Sequence, residues 1–510
     1  MGLAAPGRRA ACLAVFGTGS DVGKSVFAAA LCRIYADRGL RVAPFKAQNM
    51  SNNSGVTPGG LEMGRAQIVQ AEAARVAPHV DMNPVLLKPT SDIGAQVVVM
   101  GRPWLDASAK TYDIRKQELF DTACKALDRL RAVNDLVILE GAGSCAEMNL
   151  LARDIVNLPM AAYAGAPVIL VADIHRGGVF AQILGTLECL APEQRDQIKG
   201  VVINRFRGDI ELFRDGVSWI ETRIQPPVLG VLPWFSHFTI AAEDAVAIER
   251  PEQRRLKDAA WPTIGVIRLP HLSNFDEFDP LDEVRGVNLA FLEHPRNLAD
   301  FKAVIVPGSK STRSDLDWMQ RTGWADRLRR YAAAGGHVLG VCGGYQMLGR
   351  WVHDPGGLEG PPGSSRGLEL LPVETELKAP KTTTRTRFAW EEVEGDGYEI
   401  HMGQTIRCAG RFLFAVRSRN GAGCKDEDGC VSEDGRVLGT YLHGIFDTPA
   451  VIRRWLAGLG LPDPKITRVH GPAARDHAYD QLAAHTAQHI DLDGIDRIIG
   501  LAPPRFETSL

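Results

Sequence analysis

VFGTGSDVGKS, residues 15–25, decides how the first half of the chain is read. A short apolar run ends at Phe16, glycines follow, and a helical pattern opens at Lys24. Glycines let backbone N–H groups approach an anion, a helix N-terminus favours its charge, and Lys24 adds a cation. Ser25 is then placed to hold a magnesium ion beside bound phosphates. Gly17, Thr18, Gly23, Lys24 and Ser25 are therefore expected to bind a nucleotide. The plainer alternative is a glycine turn with no ligand; the strand–loop–helix context of Gly-Lys-Ser weighs against it. Five residues separate Gly17 from Gly23, one more than the usual loop.

Outward from this loop one rhythm recurs: a β-branched apolar run, a glycine turn, a helical pattern. Strand-like runs fall at 12–16, 41–45, 136–140, 167–173, 200–204 and 228–232, with helical stretches at 24–37, 117–131 and 178–190. Such alternation predicts an α/β fold with a mostly parallel sheet covered on both faces. Ligands should then bind at the carboxyl ends of the strands. A polar stretch at 249–262 breaks the rhythm and reads as a linker. The rhythm restarts after it, and shorter alternating strands from about residue 370 predict an antiparallel extension.

The second half turns on HVLGVCGGYQMLG, residues 337–349. Its apolar strand ends in Cys342, and two glycines lead into a helix. A cysteine at so sharp a turn is expected to be exposed and to act as a nucleophile. His443, in GTYLHGIFD, is the expected base, and the backbone N–H groups of Gly308 and Gly343 are candidate donors to an oxyanion. An inert buried thiol and a structural histidine are the plainer alternatives.

The totals are those of an ordinary globular protein: 510 residues, 45% hydrophobic, 23% charged, net charge −3. That balance leaves no electrostatic footprint for nucleic acid or an anionic membrane. Nine cysteines with no CxxC pair exclude a disulfide scaffold and a zinc ribbon, and fit reduced thiols in the cytoplasm. The best membrane-span candidate, 158–172, is too short and holds two prolines and a glycine. The apolar part of the N-terminal stretch runs straight into the glycine loop and reads as a strand, not a signal peptide.

The long loop spacing resembles the dethiobiotin synthetase branch of P-loop proteins, which activate a carboxylate with ATP. That resemblance implies magnesium at Ser25 and Glu140, Lys46 at the γ-phosphate or the substrate carboxylate, and Asn204 at adenine. The Gly-x-Cys-Gly-Gly-Tyr-Gln elbow, the Pro-Gly-Ser turn upstream and the downstream histidine resemble a class I glutamine amidotransferase of flavodoxin-like architecture. There the cysteine attacks the glutamine side-chain amide and releases ammonia. Most members carry a glutamate two residues after the histidine; this chain has Ile445. A subgroup coupled to dethiobiotin-synthetase-like domains in corrinoid synthesis shares that gap.

PFKAQNMSNNS, EMGRAQIVQAEAA, DMNPVLLKPTSD, VADIHRGGVFA, HLSNFDEFDPL and YEIHMG extend the likeness across nearly the whole chain. Together they resemble the cobyric acid synthase family of corrinoid amidases. The resemblance implies ATP, magnesium, glutamine as ammonia donor, and a corrinoid substrate amidated at its b, d, e and g carboxylates. It also directs corrinoid contact to residues 48–67 and to NPVLLKPTSD. His175 departs from an expected aspartate, with Asp173 close by; His401 receives no catalytic role. The expected division is a synthetase domain at 1–248, a linker at 249–262, an amidotransferase domain at 263–455 and a helical segment of unassigned role at 456–510. Rival readings are another fused amidotransferase, such as cobyrinic acid a,c-diamide synthase or a CTP-synthase-like enzyme, and a partitioning-type ATPase switch. The stretches KAQNMSNNS and NPVLLKP disfavour the first, and the lack of a lysine between Gly19 and Val22 disfavours the second.

Overall fold

The computed structural model describes residues 9–91, 94–108, 112, 114–235, 257–461, 465–466 and 472–501. Most of the expected linker, the boundary at 248 and Asp92 of the NPVLLKPTSD stretch lie outside these residues, as do the last nine positions of the chain. Six parallel strands build the first sheet, in the order Val228–Pro233, Ile198–Phe206, Val168–Asp173, Ala11–Gly17, Leu136–Glu140, Val42–Phe45. Every residue of Leu136–Glu140 and Val168–Asp173 is buried, because helices cover both faces. The register pairs Val15 with Glu140, so Gly17, Glu140 and Lys46 emerge at one carboxyl edge.

The second sheet runs Asn288–Leu292, Thr263–Ile267, Phe301–Val306, His337–Val341, Val437–Thr440, all parallel, with Cys430–Val431 antiparallel on its edge. The predicted antiparallel extension is the sheet of Thr382–Trp390, Val393–His401, Phe414–Arg419 and Ala422–Asp428, which brings Ile400 and His401 back over the carboxyl end of the parallel sheet. These are two α/β units, as the βα rhythm predicts.

Residues 48–67 differ from expectation. Gln48–Met50 joins a sheet with Val85–Ser91, while Ser54–Val56 and Glu62–Gly64 form a hairpin that runs into the helix Arg65–Ala73. Asn49, Ser51, Asn53, Ser54, Glu62 and Gln67 are all buried. The segment reads as polar because it lies between the two α/β units, where amides and charges satisfy one another, and not because it faces solvent. A broad corrinoid-facing surface is therefore not what most of these side chains form.

The C-terminal helices return to the first unit. Tyr35 Oη donates to Asp496 Oδ1 at 2.8 Å, Arg38 pairs with Asp496 at 2.9 Å, and buried Arg33 pairs with Asp476. Gly230, at φ 158°, accommodates this docking: a Cβ there would lie 2.1 Å from His489 O. All nine cysteines are free. Among the described residues, no helix is long and apolar enough to cross a membrane.

Candidate active site

Cys342 stands between the strand His337–Val341 and the helix Gly343–Leu348, at φ 51° and ψ −109°. Such angles are costly for a residue with a Cβ, and mark a turn held by its surroundings. Gly344 lets the turn close: a Cβ there would lie 1.9 Å from Val306 O. The thiol is not exposed as expected. Cys342 is 6% exposed, with Sγ 3.5 Å from Ile400 O, because the antiparallel sheet and Lys88 of the first unit roof its cavity.

His443 is buried, and its Nδ1 lies 3.1 Å from both carboxylate oxygens of Glu277. The other ring nitrogen, Nε2, is buried without a conventional hydrogen-bond partner. Burial alone would lower the imidazolium pKa; Glu277 and then the Cys342 thiol outweigh it and raise the value to about 10. Glu277 itself is raised by burial, and His443 opposes that rise. Tyr398 stacks on the ring at 5.3 Å and exchanges backbone hydrogen bonds with His443. Glu277 thus occupies the place left empty by Ile445. It comes from HLSNFDEFDPL, where nothing in the sequence sets Glu277 apart from its acidic neighbours Asp276 and Asp279.

Gly308 and Gly343 border this pair. A Cβ on Gly308 would meet His443 Cε1 at 3.1 Å, and one on Gly343 would meet Ser309 N at 2.9 Å. The first-turn N–H of Gly343 has no intrahelical acceptor. Asp315, accepting from Ser309 Oγ at 2.6 Å, holds the Pro-Gly-Ser turn in place. Gln346 is fixed by Thr312 Oγ1 at 3.0 Å and Met402 O at 2.9 Å. His401 stacks on Tyr441 at 3.7 Å and its Nε2 faces Glu399, an anchoring role.

The second cluster lies at the glycine loop. Lys24 Nζ donates to Gly19 O and Gly143 O, each at 2.9 Å, so its charge is held at the loop mouth. Gly23, at φ 99°, allows the loop to enter its helix, and a Cβ there would collide with the Asn204 amide. Asn204, expected at adenine, also braces the loop: Nδ2 donates to Val22 O at 2.9 Å and Oδ1 accepts from Arg205 N. Thr18 Oγ1 donates to Gln182, and Gly17 closes the strand against Val22.

Glu140 is the hub of this end. It accepts from Ser25 Oγ at 2.7 Å, Lys46 Nζ at 3.0 Å and Gln67 Nε2 at 3.3 Å, and from Gln70. Ser25 Oγ and the Glu140 carboxylate are hard oxygens of the kind magnesium takes together with phosphate oxygens and water, so these residues fit that ion. Lys24, Lys46 and Asn49 line a cavity of about 420 Å³ beside them. His175 packs its ring on Trp234 at 4.8 Å, and Asp173 pairs with Arg205 at 3.0 Å. His175 is otherwise exposed, and the carboxylate of Asp173 is already engaged.

Comparison with known proteins gives both units a family. A model described as the CobQ/CobB/MinD/ParA nucleotide binding domain matches residues 13–247, and one described as the CobB/CobQ-like glutamine amidotransferase domain matches 263–451. The chain is 52% identical to the cobyric acid synthase of Chlorobium phaeobacteroides (strain BS1), over 96% of this chain and 99% of that one. It is 50% identical to the cobyric acid synthase of Chlorobaculum tepidum, over 96% and 98%. A crystal structure of a glutamine amidotransferase shares 20% identity, covers 38% of this chain and 97% of its own, and has a TM-score of 0.30.

Proposed function

Because this chain belongs to the cobyric acid synthase family, and is therefore a glutamine-hydrolysing ligase of cobalamin biosynthesis, we propose that it converts adenosylcobyrinic acid a,c-diamide to adenosylcobyric acid by amidating the b, d, e and g carboxylates. The observation that supports this reading best is the arrangement Cys342–His443–Glu277 in one molecule with the Lys24–Ser25–Glu140 loop site.

At the first centre the Cys342 thiolate attacks the glutamine amide carbon. Gly343 and Gly308 N–H groups stabilise the oxyanion. His443, oriented by Glu277, gives a proton to the departing nitrogen, which leaves as ammonia. Water then hydrolyses the thioester to glutamate and restores the thiol. At the second centre Lys24 and the loop amides hold the ATP phosphates, and Lys46 holds the γ-phosphate or the carboxylate. The carboxylate takes the γ-phosphoryl group, ADP leaves, ammonia attacks the acyl phosphate, and phosphate departs from the carboxamide. Magnesium at Ser25 and Glu140 would neutralise phosphate charge. Asn204 retains one amide N–H for adenine beyond its bond to the loop. The cavity beside Lys46 is the place for the corrinoid carboxylate.

Mass spectrometry of adenosylcobyrinic acid a,c-diamide with the protein, glutamine and magnesium-ATP tests this reading. Successive carboxylate-to-carboxamide steps ending at four are expected. An unchanged corrinoid with continuing glutamine hydrolysis would discard the substrate and keep the glutaminase.

A further inference from the structure

A cavity of about 540 Å³ opens at the amino end of the second parallel sheet, beside His337. His337 starts the strand that runs into Cys342, so the cavity and the thiol lie at opposite ends of one strand. None of its lining residues borders the Cys342 cavity or the cavity of Lys24 and Lys46. Ligands of parallel sheets gather at the carboxyl ends of the strands, so neither chemistry accounts for this hollow. Its floor is apolar: Val338, Leu413, Val431 and Trp455 are each 4% exposed or less. Trp390 and the exposed ring of Phe412 stand at its walls.

Four arginines surround this floor, Arg411, Arg417, Arg436 and Arg454, against one carboxylate, Glu391. Arg454 engages Glu391, and Arg436 donates to Gly335 O at 3.1 Å. Arg411 and Arg417 are exposed, and among the described residues their guanidinium groups meet no carboxylate and no hydrogen-bond acceptor. Asp434, two residues before Arg436, is spent on its own turn: Oδ1 accepts from Ser432 Oγ at 2.6 Å and from Arg436 N at 3.1 Å. His337 reports the resulting field. Burial, then Arg436 and Lys302, hold its pKa below the ordinary value, and Asp434 only opposes them.

Guanidinium groups pair bidentately with phosphate, and flat bases stack on aromatic rings. Three arginines not engaged by Glu391 call for more than one phosphate, and the volume suits a small molecule. We propose that this cavity binds a nucleoside triphosphate, with its phosphates on Arg411, Arg417 and Arg436 and its base against Trp390 and Phe412, and that its occupancy is felt at His443. Ring contacts lead there by two paths. Trp390 meets Phe414 at 5.5 Å, and Phe414 meets Phe388 at 4.6 Å. Phe388 packs on Gly397, where a Cβ would lie 3.4 Å from Phe388 Cε1 and 2.7 Å from His443 O. On the other side Trp455 meets Phe446, three residues after His443, at 5.1 Å. A ligand that shifts either indole therefore presses, through packed side chains, on the backbone that carries the base.

Equilibrium dialysis of the full chain with magnesium and ATP, GTP, CTP or UTP in turn counts the nucleotide bound, with glutamine hydrolysis followed in the same samples. For at least one of the four, wild type is expected to hold one equivalent more than Arg411→Ala/Arg417→Ala, in which that equivalent binds at least about tenfold more weakly. Saturation of the extra equivalent is expected to change the rate of glutamine hydrolysis in wild type and not in the double variant, whose basal rate is kept. Inorganic triphosphate, which lacks the base, is expected to bind there more weakly. The same count in both proteins with all four nucleotides, an extra equivalent that leaves hydrolysis unaltered, or inorganic triphosphate binding as tightly as the nucleotide would each overturn the proposal. Amidation of the corrinoid is tested separately and is untouched by any of these results.

Discussion

His443 sits between a buried carboxylate and a thiol, and its charge follows from both. Glu277→Gln keeps the shape of the partner and removes its charge, so burial regains the upper hand and the ring pKa falls. Glutamine hydrolysis should drop by roughly a hundredfold, with the alkaline limb of its pH profile moving to lower pH, read by initial rates across pH. A merely structural glutamate would leave that limb in place. The folded imidazolium titrates near 10, above its ordinary 6.5. It therefore contributes stability that is full below the ordinary value and is lost as pH rises through about 10. Melting temperature should accordingly fall across that window more steeply in wild type than in Glu277→Gln. Cys342 and His443 were legible in sequence because each ends a strand-like run beside glycine. Glu277 was not: it lies 166 positions from His443, and no periodicity links the two.

Elements carry the next level. The strands of the first parallel sheet were legible because continuous β-branched runs between glycine turns have few other readings, and their ends agree within two residues; in the second sheet Asn288–Leu292 was not read, and Val437–Thr440, in the stretch expected to form the antiparallel extension, pairs parallel with His337–Val341. Residues 48–67 misled because amide-rich sequence looks alike whether it meets water or another domain. The C-terminal helices were silent, since their pairing with the helix Lys24–Asp37 is a long-range contact between ordinary charged positions. Asp496→Ala leaves the buried Tyr35 hydroxyl without its acceptor and Arg38 without its partner. It should cost about 1–3 kcal/mol, seen as a lower thermal midpoint. At the elbow, Gly344→Ala places a methyl group against Val306 O. Glutamine-driven amidation should be lost, while amidation from free ammonia remains.

At the scale of the molecule, the two units meet through groups that each leaves incomplete. Arg65 of the first pairs with Asp276, the neighbour of Glu277, at 3.2 Å, and Asn274 Oδ1 accepts from Ser54 N at 3.0 Å. The segment that carries the orienting carboxylate is thus held by the synthetase unit as well as by its own sheet. The most direct measurement compares Cys342→Ala and Lys24→Ala on the corrinoid, with glutamine or free ammonium as nitrogen source. The account predicts that Cys342→Ala is silent with glutamine and active with ammonium, while Lys24→Ala is silent with both. A folded Cys342→Ala that fails with ammonium, or a Lys24→Ala that still amidates, would contradict it.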